Sequence, residues 1–383
     1  MLETILAGIS GLGSGALSLV SVAGLPNLIM LAAGGVLLYL GVGKNVEPLL
    51  LVPIGFGCVL VNIPFGGLNE EGGLLKTLYD MGVANEVFPL LIFVGIGAMI
   101  DFSPLLEKPS MLLFGAAGQC GIFLTLLLAL ALGFTNLESV SIAIIGACDG
   151  PTAIYVTSQY APHLLGAVSV AAYSYMALVP IIQPPIMRAL TTQKERTVRM
   201  PTIRKSVSAR ARLLFPIVVT LVGGLIAPKG LPLLGTIMLG NFMRESGVVA
   251  RLTKASENEI ANVVTLFLGL AIGSTMEGHA FLTPQTLAIF GLGFLAICLD
   301  TVAGVVFGKI VCAATGGKVN PLIGAAGISA FPMAARVVQV EGQRYDKRNY
   351  LLMHAAGANT GGQIGSVVAA AVMLSVLQAM GLG

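Results

Sequence analysis

The stretch CDGPTAIY, residues 148–155, places a carboxylate beside a glycine and a proline within otherwise apolar sequence. Proline lacks a backbone N–H and disfavours helical geometry at the preceding residue, so carbonyls near Gly146 and Cys148 lose their helical partners. If the surroundings are a membrane, a charged group there is a functional candidate. Asp149 with free carbonyls is a hard-oxygen environment that suits a small cation such as sodium. The alternative is a protonated Asp149 that is hydrogen-bonded in the core.

A second interrupted stretch, VNPLIGAAGISAFPMAAR at residues 319–336, has the same character later in the chain. Asn320 and Ser329 supply side-chain oxygens near prolines that break a helix, and Gly324 allows close backbone approach. Further on, HAAGANTGGQIGS places Asn359 in a glycine-rich helix. An asparagine inside a membrane is either an ion ligand or a hydrogen-bonding contact between helices. Oxygen ligands and a broken helix therefore coincide for a second time.

Two further side chains could take part in chemistry at these breaks. Arg336 closes the segment SAFPMAAR; its planar guanidinium can hold a carboxylate through two hydrogen bonds or extend to lipid headgroups. Tyr175, in AAYSYMALVP, is a phenol that can pass a proton or hydrogen-bond an ion ligand, or anchor the chain at the membrane interface. The residue types alone leave both alternatives open.

The composition identifies the environment that must position these residues. Hydrophobic residues make up 56% of the 383 residues and charged residues 10%, whereas soluble domains carry about 25% charged residues. The net charge of +3 is too small to indicate nucleic-acid binding. We therefore predict an all-α polytopic membrane protein with about ten to eleven membrane elements, some of them broken or re-entrant. The predicted elements lie near 25–43, 48–66, 87–101, 110–134, 139–158, 163–187, 212–227, 259–276, 285–313, 319–335 and 350–380.

The longest polar connection, residues 188–212, contains eight Lys or Arg and the single acid Glu195. Positive charge between spans favours the cytoplasmic side, so we predict that this connection is cytoplasmic. Its positive charge either sets the orientation of the chain in the membrane and contacts lipid headgroups, or forms a docking surface for a soluble partner. The chain then divides into a first set of spans at 1–190, a basic loop at 191–211 and a second set at 212–383.

The two sets of spans resemble each other. LIFVGIGAMIDFSPLLEKPS in the first is similar to LFLGLAIGSTMEGHAFLTPQ in the second. In each interrupted stretch a glycine precedes a proline by five residues, Gly146 to Pro151 and Gly327 to Pro332. Internal repeats with paired broken helices are typical of secondary transporters, which bind ions near the bilayer midplane. We therefore predict an inverted-repeat, transporter-like architecture; the alternative is chance similarity between apolar segments.

Four segments together resemble one family: CDGPTAIY, AAYSYMALVPIIQPPIMRALTT, VNPLIGAAGISAFPMAARVVQ and ANTGGQIGS. They are similar to the membrane β-subunit of the biotin-dependent, sodium-pumping decarboxylases, which act on oxaloacetate, methylmalonyl-CoA, glutaconyl-CoA or malonate. The similarity covers essentially the whole chain. It implies an enzyme subunit that decarboxylates carboxybiotin, consumes a proton and exports sodium across the cytoplasmic membrane of a bacterium or archaeon.

The resemblance also implies roles for individual residues. Arg336 would orient the carboxylate of carboxybiotin, and Tyr175 would take part in proton and cation handling. Asp149 would bind sodium in competition with a proton. The sodium site that the resemblance implies consists of Asp149, Asn320, Ser329 and Asn359, with Gly324 as backbone support.

Partners follow from the resemblance as well. It implies a biotin carrier protein or domain that presents carboxybiotin, a carboxyltransferase α-subunit, and a small single-span membrane subunit of the γ or δ type. Two other classes fit the residues taken alone. One is a stand-alone sodium-coupled secondary transporter or sodium/proton exchanger, because many carriers share repeats and broken helices. The other is a structural membrane scaffold.

Overall fold

The chain is built from helices that cross a membrane several times. The computed structural model describes residues 14–45, 47–201, 207–379 and 381, and every regular element in those ranges is helical. The all-α expectation is confirmed for this part of the chain. By length and composition, six helices within the described ranges can span a bilayer, so the protein is a multi-pass membrane protein. These six are Leu25–Gly43, Met111–Ala131, Pro162–Leu190, Ala209–Ile226, Pro284–Ala314 and Leu352–Ala379.

Several shorter helices pack among these spans. The pair Leu74–Val83 and Val87–Met99 is bent by 60° and can serve as a seventh span. The α-helices up to the basic connection are Ser14–Val20, Leu25–Gly43, Pro48–Val61, Leu74–Leu78, Val87–Met99, Ser103–Glu107, Met111–Ala117, Cys120–Ala131, Asn136–Ala143, Gly150–Tyr160 and Leu165–Leu190. Those that follow are Gln193–Arg196, Ala209–Ile226, Leu231–Ser246, Ala250–Ala255, Ala261–Ser274, Gly278–Phe281, Pro284–Ala314, Met333–Tyr345 and Leu352–Ala379.

The structure differs from the predicted elements at residues 231–246 and at residues 319–335. The helix Leu231–Ser246 was not predicted, because it is short for a span and its end, NFMRES, is polar. The element predicted at 319–335 is instead a 3₁₀ helix, Pro321–Gly327, followed by a connection and the start of the helix Met333–Tyr345. The element at 139–158, which its glycine and proline predict to be broken, is divided as predicted.

The first broken segment, residues 136–160, starts at a capping box. The Thr135 hydroxyl accepts from the Glu138 backbone, and the Glu138 carboxylate accepts from the Thr135 backbone. The helix then tightens into a 3₁₀ turn, Ile144–Ala147, and ends at Cys148, whose backbone is left-handed with φ of 52°. A non-glycine residue seldom adopts this conformation, and here it turns the chain sharply at the break.

The two breaks meet in the interior. Asp149 is extended and caps the helix that follows, in which Pro151 occupies the first turn, where no N–H partner is needed. In the second broken segment, residues 320–345, the backbone N–H of Ser329 donates to the carbonyl of Ala147 at 3.1 Å. A carbonyl freed by the first break thus accepts a hydrogen bond from an N–H freed by the second. Inside a membrane, backbone polar groups need such partners within the protein.

Two of the most extensive helix–helix contacts join one helix from each half of the chain. Pro48–Val61 packs on Ala261–Ser274, and Leu231–Ser246 packs on Val87–Met99. Both contacts are close because glycines face the partner backbone: a Cβ at Gly240, for example, would lie 2.1 Å from the carbonyl oxygen of Val94.

An asparagine clamps each of these pairs. Asn62 donates to the Met276 carbonyl at 2.8 Å, and Asn241 donates to the Ile100 carbonyl at 3.0 Å. Both asparagines are fully buried. In each pair, the asparagine near the end of one helix therefore satisfies a carbonyl just beyond the end of the other.

We expect Gly240→Ala to destabilise the fold, because its Cβ would overlap backbone of the neighbouring helix. Overpacking of this kind costs about 1–3 kcal/mol. The matched control is Gly235→Ala on the same helix, where an added Cβ meets nothing within 4 Å. The thermal midpoint in detergent can be measured by size-exclusion chromatography of heated samples. It should fall for Gly240→Ala and stay the same or rise for Gly235→Ala. Equal midpoints for the two variants would contradict the close packing.

Candidate functional site

Asp149 lies at the first break with its carboxylate surrounded by neutral donors. The residue is 4% exposed. Its Oδ2 accepts from Thr152 Oγ1 at 2.8 Å and Gln363 Nε2 at 2.8 Å, and from Ser366 Oγ at 3.2 Å. Among the described residues no Lys, Arg or His forms an ion pair with it. A buried carboxylate with dipoles but no counter-ion favours uptake of a cation or a proton.

A cavity of about 320 Å³ opens beside Asp149. Because a water molecule takes about 30 Å³ in the liquid, the cavity has room for an ion with part of its hydration shell. Both broken segments contribute to its wall, so it lies where the two breaks meet. Its polar lining residues are Glu47, Asp149, Tyr173, Thr265, Ser329 and Gln363.

Ser329 and Asn359, two of the sequence-predicted ligands, lie together at the second break. Ser329 lines the cavity, and its hydroxyl donates to the Gly362 carbonyl at 2.8 Å. Asn359 is fully buried; its Nδ2 donates to the Ile328 carbonyl at 2.6 Å, but its Oδ1 has no hydrogen-bond partner among the described residues. A buried amide oxygen without a donor fits coordination to a hard cation.

Asn320 lies elsewhere. Its Nδ2 donates to the carbonyls of Arg196 at 3.0 Å and Val198 at 2.8 Å, and its oxygen caps the 3₁₀ helix that follows. That helix, Pro321–Gly327, spans about 14 Å at the usual rise of 2 Å per residue and separates Asn320 from Ser329. In this structure Asn320 thus holds the basic connection against the second broken segment and is not a neighbour of Asp149.

Gly324 lies within the same 3₁₀ helix and packs against the long helix Pro284–Ala314. A Cβ at this position would lie 1.9 Å from the carbonyl oxygen of Gly304. Only a glycine permits that approach. Gly324 therefore fixes the position of the second broken segment through its backbone and adds no side-chain ligand.

The tyrosine at the cavity is Tyr173, whereas Tyr175 points elsewhere. Tyr173 is 2% exposed, and its ring covers Gly150, where an added Cβ would lie 2.1 Å from the ring. The Tyr175 hydroxyl donates to the carbonyl of Phe290 at 2.7 Å, and its ring packs on Phe290 and Phe294. Side chains two positions apart on a helix point in directions that differ by about 200°. Tyr173 and Tyr175 therefore cannot face the same site.

Arg336 lies in a separate groove, one turn into the helix Met333–Tyr345. The groove has a volume of about 740 Å³, within the range of small-molecule sites. Arg336 is exposed, and among the described residues its guanidinium forms no hydrogen bond or ion pair. Phe331 and Pro332 line the Asp149 cavity, while the next residue, Met333, lines the groove. One short stretch of chain thus borders both spaces.

An ion pair forms part of the wall of the groove. Arg188 donates from Nε and Nη2 to the two carboxylate oxygens of Glu341 at 2.6 and 2.7 Å. These hydrogen bonds lower the pKa of Glu341 from its ordinary value. The guanidinium of Arg188 is therefore engaged, and Arg336 remains available to a ligand.

Six polar residues that bind Asp149 or line its cavity were not predicted as site residues from the sequence. Thr152, three residues after Asp149, could have been found from the capping pattern of a helix start. Gln363 and Ser366 lie three residues apart on one helix face within the glycine-rich stretch that also contains Asn359. The other three are Tyr173, Thr265 and Glu47, and no local pattern marks any of them.

The donor set defines the kind of ion that fits. Among the described residues no group of three or more His, Cys, Asp or Glu could hold a metal ion. The oxygens present come from one carboxylate, hydroxyls, amides and backbone carbonyls, which suit a hard monovalent cation. Polytopic proteins with a cation-binding cavity at two broken helices are typically ion transporters.

Comparison with known proteins assigns the family. The family described as Na⁺-transporting oxaloacetate decarboxylase beta subunit matches residues 26–377. The methylmalonyl-CoA decarboxylase subunit beta of Veillonella parvula is 52% identical over 351 residues, covering 92% of this chain and 93% of that protein. The glutaconyl-CoA decarboxylase subunit beta of Acidaminococcus fermentans is 49% identical, with 92% and 93% covered. The oxaloacetate decarboxylase beta chain of Klebsiella pneumoniae is 45% identical, with 92% and 95% covered.

The chain therefore belongs to the beta-subunit family of Na⁺-transporting decarboxylases. The family and the activity expected from the sequence are confirmed: this is a membrane decarboxylase subunit that couples decarboxylation to sodium export. The stand-alone transporter and the structural scaffold are not supported by these relatives.

Removal of the Glu341 charge should give a pH-dependent loss of stability. Because the pKa of Glu341 is lowered in the fold, its pairing with Arg188 stabilises the protein fully above the ordinary value of 4.5 and is lost as pH falls through the lowered pKa. Glu341→Gln should therefore lower the thermal midpoint at pH 7, by an amount corresponding to about 1–3 kcal/mol. The difference from the parent chain should shrink below pH 4.5. A difference that does not change with pH would contradict the assignment.

Proposed function

We propose that Asp149 binds the transported sodium ion at the meeting point of the two broken segments. Support comes from its buried carboxylate, which has neutral donors but no ion-pair partner among the described residues, and from the adjoining cavity. Ser329 and the unpartnered Oδ1 of Asn359 would supply further oxygens. Asn320 would act indirectly, through the basic connection that it holds.

We further propose that Arg336 binds the carboxylate of carboxybiotin, which a partner presents. Its unengaged guanidinium offers two parallel donors to a carboxylate, and the groove around it is open. Loss of CO₂ leaves a biotin nitrogen that must take up a proton. Tyr175 is bound to a backbone carbonyl, so Tyr173, at the cavity, is the phenol better placed to pass a proton to or from Asp149.

Coupling would follow from competition at Asp149. Sodium and a proton compete for the same carboxylate oxygens, and either one neutralises the single negative charge, so binding of one displaces the other. A ligand that binds two conformations unequally shifts the equilibrium between them. The stretch from Phe331 to Met333 borders both the cavity and the Arg336 groove. A ligand bound in the groove can therefore change the shape of the cavity wall.

The inverted-repeat architecture is also a proposal, and the two asparagine clamps support it. Glu245 forms an ion pair with Arg212 at the end of the basic connection, so the nearby Asn241 clamp lies toward that face. The chain then runs through the continuous helical residues 250–274, about 37 Å of helix, before it reaches the Asn62 clamp. Equivalent clamps near opposite faces are what an inverted repeat requires. With the broken segments counted as elements, the proposed total remains ten to eleven.

The surroundings of the subunit are proposed on the same basis. We propose that the basic connection faces the cytoplasm of a bacterium or archaeon, because positively charged connections are favoured on that side of the membrane. Residues 202–206 of this connection lie outside the described part of the chain. A carboxyltransferase α-subunit and a biotin carrier would approach this face, and a small single-span subunit would pack in the membrane. Relatives named for three different substrates share this chain's family. The choice of substrate therefore belongs to the carboxyltransferase.

The sodium site predicts that Asp149→Asn loses sodium dependence while the fold is retained. Asparagine has the same shape but no charge, so sodium affinity should fall at least about tenfold, equivalent to 1.4 kcal/mol. The measurement is sodium uptake into proteoliposomes that contain the complete complex, driven by decarboxylation. Asp80→Asn, at an exposed position that pairs with Lys76, is the control and should transport normally. Uptake by Asp149→Asn at the parent sodium affinity would remove Asp149 from the site.

Arg336 is tested by turnover of carboxybiotin rather than by sodium binding. Loss of a charged hydrogen bond costs about 1.5–3 kcal/mol, so Arg336→Ala should lower turnover about ten- to hundredfold. Arg336→Lys should recover only part of it, because an ammonium lacks the two parallel donors. Sodium-dependent thermal stabilisation should persist in both variants. The control is Arg251→Ala, an exposed arginine on another helix; normal turnover in Arg336→Ala would assign Arg336 to headgroup contact.

A further inference from the structure

The cavity at Asp149 extends toward the face that carries the basic connection. Met99, on its wall, is 46% exposed, whereas Asp149 is 4% exposed. The carbonyl of Met99 accepts from Arg244 at 2.8 Å. The residue after Arg244, Glu245, pairs with Arg212 at the end of the basic connection. The open side of the cavity therefore lies toward that face, and Asp149 lies at its closed end.

A second acid, Glu47, lines the same cavity. It is partly exposed, and its carboxylate forms no hydrogen bond or ion pair with a described residue. Its backbone is left-handed, with φ of 38°, directly before the helix Pro48–Val61. A non-glycine residue persists in this conformation only where its surroundings hold it there, and such positions cluster at functional sites.

A cation that approaches this face meets an unfavourable field. The connection 188–212 alone carries eight basic residues and one acid. Positive charge of this density repels sodium, and the repulsion extends over about a Debye length of 8 Å at physiological salt. An acid at a cavity mouth has the opposite effect, because it raises the local concentration of cations inside the cavity.

We propose that Glu47 is the cation-capturing acid of this cavity: it draws sodium past the basic face and toward Asp149 without being a final ligand. The proposal rests on the sodium site proposed at Asp149. Glu47 thus has a positioning role from the connection between Leu25–Gly43 and Pro48–Val61, about a hundred residues before Asp149 in the sequence.

Sodium-induced thermal stabilisation of the purified complex tests this role. Sodium that binds only the folded state raises the thermal midpoint, and the half-effective concentration reports affinity. At low ionic strength we expect Glu47→Gln to raise that concentration about three- to tenfold, and Glu47→Lys to raise it more. Glu47→Asp should stay near the parent value. The control Glu71→Gln removes the same charge from an exposed position outside the cavity and should have no effect.

The salt dependence is the second part of the test. Added choline chloride screens exposed charges, so the difference between Glu47→Gln and the parent should shrink as its concentration rises. Unchanged sodium affinity in both Glu47→Gln and Glu47→Lys would overturn the role of Glu47, even if Asp149→Asn abolishes the sodium effect as proposed. A sodium effect that survives in Asp149→Asn would instead overturn the site itself, and the role of Glu47 with it.

Discussion

The structure depends on one backbone hydrogen bond that joins two interruptions, from the N–H of Ser329 to the carbonyl of Ala147. Inside a membrane, a helix that stops must find partners within the protein for the groups it frees. Here each broken segment supplies what the other lacks. The contact therefore explains how a carboxylate can lie at residue 149, beside irregular backbone, without exposing that backbone to lipid.

The same requirement shapes the helices around the breaks. Asn62 and Asn241 satisfy carbonyls just beyond the ends of neighbouring helices. Asp300, fully buried in the middle of the helix Pro284–Ala314, accepts from the backbone N–H of Gly121 at 2.5 Å, where another span is interrupted. These three interior side chains thus complete the hydrogen bonding of backbone at helix ends and interruptions. Asp149 is different because a cavity reaches it.

The sequence predicted features that depend on local chemistry, but not those that depend on the direction in which a side chain points in the fold. Proline and glycine located both breaks, and composition identified the membrane class. The residue types alone did not separate Tyr173 from Tyr175, since their directions depend on the rotation of one helix against the cavity. Asn320 has the chemistry of a ligand, but its partners are carbonyls of the basic connection, a contact that only the tertiary fold reveals. Glu47 reaches the cavity from a connection far away in sequence.

The separation of the two spaces bears on how decarboxylation and transport can be linked. If carboxybiotin bound directly at Asp149, the cation and the substrate would compete, and each would exclude the other. The groove at Arg336 and the cavity at Asp149 are instead divided by the short stretch from Phe331 to Met333. Such an arrangement allows both to be occupied together. With carboxybiotin in the groove and sodium in the cavity, as proposed, coupling would proceed through movement of that stretch, which the second broken segment permits because its backbone is not held in one continuous helix.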